Sequence, residues 1–149
     1  MLYQKLNQFL ELDEIESLLN FNTSSWNQSQ ELLKWINKLS EEIVDIDKLI
    51  SCEDTRLRVL GQCYKVYEQL LIEENALDFS TIQLETYKLL QNHQEVRNNL
   101  NEKLHYLMID EFQDTNTIQE KLMFLLAGKQ QNIYVVGDDD QVYIDLGEL

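Results

Sequence analysis

The sequence predicts a mainly α-helical protein with a small parallel β element. The chain has 149 residues, no proline and only 4 glycines, which favours long helices over turn-rich β architecture. Apolar residues recur every three to four positions through residues 1–104, the spacing of amphipathic helices. After His105 the pattern changes to two short, continuous apolar runs, which are typical of buried parallel strands.

The first 50 residues predict three helical segments. Apolar residues at helical spacing start at Leu2, and Asp13 followed by Glu16 predicts a capping box for a short second helix. The polar stretch "NFNTSSWNQ" predicts a loop. One amphipathic helix is then predicted from about residue 28 to residue 50. Its stripe consists of Leu32, Leu33, Ile36, Leu39, Ile43, Ile46 and Ile50.

Further helices are predicted between residues 55 and 104. One runs from Thr55 to about Glu74, and the segment "NALDFS" ends its pattern. Asp78 or Ser80 could cap the next helix, because short polar side chains accept bonds from the free N–H groups at a helix start. Two more helices are predicted in "TIQLETYKLL" and "EVRNNLNEKL". The apolar stripe of the helix from Thr55 consists of Leu57, Leu60, Tyr64, Tyr67 and Leu71.

The C-terminal third predicts a β-α-β unit. Two adjacent parallel strands are expected near residues 106–110 and 132–136, in "YLMI" and "NIYVV". The stretch between them predicts a helix at about 116–127, with Gly128 as the residue that follows its end. The crossover should be right-handed.

The charge of the chain limits the possible partners. The formal net charge is −15, whereas a surface that binds nucleic acid is expected to be basic. We therefore expect weak or no DNA binding by this chain alone, and acidity suits metal attraction or a basic partner. No apolar run approaches the roughly 18–20 residues that a membrane helix needs, and the start lacks a signal-peptide layout. A cytoplasmic location is the resulting expectation.

The 2 cysteines are not expected to form a disulfide. Cys52 and Cys63 are separated by eleven positions, which corresponds to about 16 Å if both lie on one helix. That distance exceeds the reach of a disulfide, so both thiols should be reduced.

Acidic and amide side chains follow both predicted strands. Asp110 and Glu111 come at the end of the first strand, and Asp138 and Gln141 come just after the second. Ligands of parallel sheets bind outside the carboxyl ends of the strands, so these residues should be neighbours. An Asp there can hold Mg²⁺ beside a phosphate, a second carboxylate can activate water, and a Gln can bond a γ-phosphate. Each cluster alone is more often a solvated turn, but their combination favours a magnesium–nucleotide site.

The same residues carry a family resemblance. "LMIDEFQDTNTIQ" together with "LLAGKQQNIYVVGDDDQ" resembles motifs II and III of the UvrD/Rep/PcrA family of superfamily 1 DNA helicases. "NALDFSTIQLETYKLL" resembles the segment that leads from the family's inserted helical subdomain into its first RecA-like domain. The resemblance covers roughly residues 64–141. It implies a helical subdomain in residues 1–77 and a partial RecA-like P-loop NTPase core in residues 78–149.

The resemblance also implies roles for single residues. Asp110 would coordinate Mg²⁺, and Glu111 would be the catalytic base for ATP hydrolysis. Gln141 would sense the γ-phosphate. Gln113 and Asp114 would complete motif II and couple the site to neighbouring loops. The loop of motif III would be shaped by Asp138, Asp139 and Asp140.

Several elements of the family are missing from this sequence. The phosphate loop "GxxxxGK[ST]" does not occur in it, nor do the adenine-binding segment and the second RecA-like domain with its arginines. We therefore expect a fragment of an ATP-dependent DNA helicase that uses Mg²⁺, ATP and DNA in its full-length context, and that is inactive alone. The resemblance implies 3′-to-5′ movement. The alternative is a non-catalytic, helicase-like interaction protein, and a stand-alone carboxylate–metal hydrolase is a weaker third interpretation.

Overall fold

The computed structural model describes residues 2–138 and divides the chain into two compact units between Ile82 and Gln83. The described chain is mostly helical and contains a two-stranded parallel sheet, as the sequence predicts. None of the helices in residues 2–138 is both long enough and apolar enough to cross a membrane.

The first unit consists of helices around one apolar core. Its α-helices are α1 (Leu6–Leu10), α2 (Ser25–Glu41), α3 (Ile46–Ile50) and α4 (Thr55–Glu73), and short 3₁₀ helices occupy Leu2–Lys5 and Ile15–Ser17. The long helices α2 and α4 supply most of the core, because each has one apolar face. The buried residues of α4 include four of the five predicted stripe residues, whereas Leu57 is exposed.

Three helices of this unit begin with a side-chain cap. The Ser24 hydroxyl accepts a hydrogen bond from the backbone N–H of Asn27 over 3.2 Å, at the start of α2. Asp45 and Asp54 cap α3 and α4 in the same way, at 3.2 and 3.0 Å. The bonds that Lys48 gives to Asp45 lower the pKa of that carboxyl. Each cap satisfies one of the free N–H groups at a helix start.

The single helix predicted for residues 28–50 is wrong. Helix α2 ends at Glu41, and α3 begins only at Ile46. Ile43 takes a left-handed conformation with φ 54°, and backbone bonds run from Ile43 N to Ser40 O and from Val44 N to Leu39 O. These are the two bonds of a Schellman motif, which closes a helix end. The apolar spacing continues through this break, so the pattern did not reveal it.

Two local predictions near the N-terminus are also wrong. Asp13 does not start a capping box, because the short helix at Ile15–Ser17 is preceded by Glu14 in a left-handed conformation without a side-chain cap. The predicted loop "NFNTSSWNQ" is shorter than expected, since the cap at Ser24 starts α2 before Trp26.

The cap predicted for the following helix is confirmed. Asp78 Oδ1 accepts a hydrogen bond from the backbone N–H of Thr81 over 2.7 Å, at the start of α5 (Phe79–Asn92). The second oxygen of Asp78 accepts a bond from the Tyr67 hydroxyl over 2.6 Å. The other candidate cap, Ser80, instead donates its hydroxyl to Glu41 Oε1 over 3.3 Å.

Both cysteine thiols are free, as predicted. Cys52 lies just before α4 and is half-buried, whereas Cys63 lies within α4 and is fully buried. They do not share a helix. Burial raises the pKa of the Cys63 thiol to about 12, because an apolar environment disfavours the thiolate.

The second unit contains the predicted β-α-β arrangement. After α6 (Gln94–Lys103) come β1 (Leu107–Ile109), a 3₁₀ helix (Phe112–Asp114), α7 (Thr117–Ala127) and β2 (Ile133–Val135). The strands are parallel, with Leu107 opposite Ile133, Met108 opposite Tyr134 and Ile109 opposite Val135. A capping box between Asn116 and Gln119 starts α7, and Gly128 with φ 58° follows its end, which confirms the prediction.

Helix α7 lies against one face of this small sheet and covers it in part, since Val135 on that face is still 49% exposed. Side chains alternate between the faces of a strand, and Ile109, Ile133 and Val135 line a cavity together with Phe124 of α7. The opposite face is open in the described part of the chain: Tyr106, Met108 and Tyr134 are 80%, 77% and 62% exposed.

Candidate functional site

The candidate site lies where β1 and β2 end. The strands are parallel, so the residues after each strand emerge at the same edge of the sheet. Two backbone hydrogen bonds continue the pairing beyond the strands, from Val136 N to Ile109 O over 2.8 Å and from Phe112 N to Val136 O over 3.0 Å. These bonds hold the turn after β1 against the segment after β2. The sequence prediction that the two strand ends are neighbours is confirmed for residues up to Asp138.

Asp110 and Glu111 form a sharp turn after β1. Asp110 Oδ1 accepts a hydrogen bond from the backbone N–H of Glu111 over 3.0 Å, and both residues are exposed. Glu111 takes a left-handed conformation, with φ 52° and ψ 46°. This conformation costs a non-glycine residue about 1–2 kcal/mol. The bond from Asp114 N to Glu111 O, at 2.9 Å, closes the turn into the 3₁₀ helix that follows.

Gln113 connects this turn to the segment after β2. Its Nε2 donates a hydrogen bond to Glu111 Oε2 over 2.5 Å. Its Oε1 accepts a hydrogen bond from the backbone N–H of Asp138 over 3.1 Å. One amide therefore contacts both predicted acidic clusters, which are far apart in sequence.

Gly137 allows the close approach on which this connection depends. A Cβ atom at this position would lie 2.6 Å from Gln113 Oε1 and 3.3 Å from Phe112 N. The φ angle of Gly137 is not positive, so the lack of a side chain matters here rather than an unusual backbone conformation.

The structure brings together four of the predicted site residues: Asp110, Glu111, Gln113 and Asp138. Asp114 is exposed and takes part through its backbone N–H. Asp139, Asp140 and Gln141 lie outside the described residues. Sequence reasoning missed the steric role of Gly137, although a glycine directly after a strand is a signal of close backbone approach.

The carboxylates at the strand ends fit a Mg²⁺ site in which phosphate oxygens and waters supply most of the ligands. Among residues 2–138 no group of three or more His, Cys, Asp or Glu side chains is arranged to hold a metal ion. Mg²⁺ in nucleotide sites is commonly bound through one or two carboxylates, with phosphate oxygens and waters as the other ligands. The exposed Asp110 carboxylate matches that kind of site, and an all-protein cage does not fit the described residues.

Comparison with known proteins identifies related chains. The family model described as "UvrD/REP helicase N-terminal domain" matches residues 2–143. ATP-dependent DNA helicase Rep of Escherichia coli (strain K12) is 45% identical over 86 residues, which is 58% of this chain and 13% of the relative.

Two further relatives match more of the chain. "Probable DNA helicase II homolog" of Mycoplasma genitalium is 35% identical over 118 residues, covering 72% of this chain and 16% of the relative. ATP-dependent DNA helicase Rep of Buchnera aphidicola subsp. Schizaphis graminum is 31% identical over 141 residues, covering 89% of this chain and 21% of the relative. The chain thus spans at most about a fifth of the length of these relatives.

Proposed function

The chain belongs to the UvrD/REP helicase family, and we propose that it forms part of an ATP-dependent DNA helicase. In the complete protein, hydrolysis of Mg–ATP would drive DNA unwinding with 3′-to-5′ movement. One observation carries the proposal: Asp110, Glu111 and Asp138 lie at the shared carboxyl end of two parallel strands. That edge of an α/β sheet is where nucleotides bind.

We assign the following roles within this proposal. Asp110 would hold Mg²⁺, because its carboxylate is exposed directly after β1. Glu111 would accept a proton from the attacking water, and its carboxylate accepts a hydrogen bond from Gln113. Gln113 and Asp114 would couple the site to neighbouring loops. Asp138 would shape the loop of motif III, and Gln141 would sense the γ-phosphate.

We further propose how the chain is organised within the complete helicase. Residues 1–77 would be the helical subdomain that is inserted into the first motor domain. Residues 78–149 would be part of the RecA-like core. Two features support this division: the all-helical core of the first unit, and the parallel strands, which within residues 2–138 begin after residue 106.

The chain alone would not hydrolyse ATP at a useful rate. ATP is an anion, and here it would meet the carboxylates of Asp110, Glu111 and Asp138. In phosphoryl-transfer enzymes this repulsion is offset by a phosphate loop with its lysine and by arginines that reach the γ-phosphate. The phosphate-loop pattern does not occur in this sequence. The net charge of −15 likewise opposes DNA binding by this part alone.

The alternative, a non-catalytic interaction protein, is not favoured. The relatives are named as helicases, and the family match extends through both predicted motifs.

A chimaeric helicase tests the proposal. The segment of E. coli Rep that matches this chain is replaced by the corresponding residues of this chain, and DNA-stimulated ATPase activity is measured. We expect activity to be retained, and Glu111→Gln to lower it by about 10²–10⁴-fold, the usual contribution of a general base. Glu102→Gln is the matched control, because Glu102 is an exposed carboxylate on α6 outside the site. Activity that Glu111→Gln leaves unchanged would contradict the assignment.

A further inference from the structure

The Gln113 side chain uses both ends of its amide at the candidate site. Its Nε2 donates to the Glu111 carboxylate and its Oε1 accepts from Asp138 N. These two contacts fix the orientation of the amide. If the amide were reversed, its oxygen would face the carboxylate oxygen and its NH₂ group would face the backbone N–H.

We propose that Gln113 is a positioning residue that holds the Glu111 carboxylate at a fixed position relative to the segment after β2. Gly137 is required for the contact between Gln113 and Asp138 N. The catalytic meaning of the inference rests on the proposed role of Glu111 as the base. The contact itself does not, since it can be observed in the chain without any activity.

Glu111 needs such support because of its position. Its backbone is left-handed and its side chain is exposed, so its rotamer is not fixed by burial in a packed core. A hydrogen bond between an amide N–H and a carboxylate is charge-assisted and stronger than a neutral one. Gln113 therefore selects one position of the carboxylate. Since the same amide contacts Asp138 N, a displacement of Asp138 reaches the Glu111 carboxylate through this side chain, in addition to the backbone bonds of Val136 that hold the turn.

Gly137 explains why the amide can reach Asp138. A Cβ atom at residue 137 would overlap Gln113 Oε1 at 2.6 Å, whereas the nearest backbone atom, Phe112 N, would be 3.3 Å away. The flexible amide would move before the backbone does. Gly137→Ala should thus displace Gln113 and leave the paired strands intact. Once Gln113 is replaced by alanine, the closest of these contacts no longer exists, and Gly137→Ala should have little further effect.

The contact is tested first in the isolated chain by ¹⁵N-resolved NMR. Glu111→Gln should shift the side-chain amide signals of Gln113 and the backbone amide signal of Asp138. In a Gln113→Ala background, Glu111→Gln should no longer shift the Asp138 signal. Gln130→Ala is the control background, because Gln130 is exposed in the loop before β2, away from the site. In that background Glu111→Gln should still shift the Asp138 signal. Unchanged amide signals of Ile109 and Tyr134 show that the strands remain paired. An Asp138 signal that responds equally with and without Gln113 would overturn the proposal.

The catalytic consequence is tested in the chimaeric helicase. Gln113→Ala should lower kcat by about 10–100-fold, the order expected when a catalytic group is misplaced by about 1 Å. The KM for ATP should change little, because the substitution leaves Asp110 in place. Gly137→Ala should have a similar effect alone and almost none when combined with Gln113→Ala. Additive effects of the two substitutions, or a change in KM only, would contradict positioning.

The two experiments separate the inference from the proposed function. A parent chimaera without DNA-stimulated ATPase would refute the proposed function, while the NMR result would still decide whether Gln113 holds Glu111. Retained activity with an unchanged kcat in Gln113→Ala would refute the positioning role alone.

Discussion

The hydroxyl of Tyr67 on α4 donates a hydrogen bond to the carboxylate of Asp78 over 2.6 Å. The other carboxylate oxygen caps the start of α5 through Thr81 N. One buried phenol therefore connects the core of the first unit to the residue that starts the next helix. Burial and the neighbouring Asp78 carboxylate both raise the pKa of Tyr67, because each disfavours the phenolate.

Removal of this hydroxyl should lower the stability of the first unit. Tyr67→Phe leaves Asp78 without one partner, and hydrogen bonds to charged groups contribute about 1.5–3 kcal/mol. Tyr64→Phe is the matched control, because the Tyr64 hydroxyl shares a hydrogen bond with the neutral Ser40 hydroxyl at 3.2 Å and should cost only about 0.5–1.5 kcal/mol. Urea unfolding curves compare the two variants. Equal losses would show that the charge on Asp78 adds nothing to this contact.

The stability of the chain should decrease at alkaline pH. The pKa of Cys63 rises from 9.0 to about 12 on folding, and that of Tyr67 rises above its ordinary 10.0. Each group binds its proton more tightly in the folded state, so its contribution is complete below the unfolded pKa and is lost as pH rises towards the folded pKa. The free energy of unfolding should begin to fall near pH 9 because of Cys63 and near pH 10 because of Tyr67. Each contributes a slope of up to about 1.4 kcal/mol per pH unit.

Urea unfolding between pH 7 and pH 11 measures these slopes. Cys63→Ala should flatten the curve from about pH 9, and Tyr67→Phe should flatten it only above pH 10. A parent protein whose stability is constant up to pH 11 would contradict both assignments.

The end of α2 shows where sequence reasoning fails. Helix ends are usually signalled by glycine or proline, and here the left-handed position after the cap is occupied by Ile43, whose apolar side chain continues the stripe of α2. At the equivalent end of α4, Asn75 occupies the left-handed position. Backbone hydrogen bonds run from Asn75 N to Ile72 O and from Ala76 N to Leu71 O. Asparagine tolerates this conformation, and that end was predicted within one residue. Backbone geometry, and not hydrophobic spacing, decides such boundaries.

Glycine at position 43 should stabilise the protein. A β-branched residue with φ 54° is strained, and the left-handed conformation costs about 1–2 kcal/mol for a non-glycine residue. Ile43→Gly should raise the free energy of unfolding by about 1 kcal/mol. Asn75→Gly, the matched variant at the end of α4, should have a smaller effect, because asparagine already tolerates this conformation. Thermal unfolding monitored by circular dichroism tests both, and a destabilised Ile43→Gly would show that its side-chain packing exceeds the backbone strain.

The location of the candidate site could be predicted from the sequence, but the hydrogen bonds between its side chains could not. Continuous apolar runs that end in acidic residues identify parallel strand ends, and they placed Asp110 and Asp138 at one edge of the sheet. The bridge by Gln113 could not be predicted, because it depends on the left-handed turn at Glu111 and on the space beside Gly137. Both are three-dimensional properties that leave no periodic signal in the sequence.

Mg²⁺ should bind weakly to the isolated chain. Asp110 offers a carboxylate, but the described residues lack the ligands of a complete octahedral site. Millimolar Mg²⁺ should shift the NMR signals around Asp110, and Asp110→Asn should abolish these shifts. Glu102→Gln, which changes an exposed carboxylate on α6, should not affect them. The absence of any shift near Asp110 at millimolar metal would contradict a preformed metal-binding position.

The isolated chain should show no useful ATPase activity and no DNA unwinding. Its acidic strand ends repel ATP, and added Mg²⁺ offsets only part of that charge. The sequence has no phosphate-loop pattern, and an arginine finger alone contributes about 10³–10⁵ to the rate of related NTPases. The measurement is steady-state ATPase with and without single-stranded DNA, comparing the parent chain with Glu111→Gln. Both should match the background without enzyme. DNA-stimulated turnover that Glu111→Gln abolishes would show instead that these strand ends can assemble a working site without the phosphate loop.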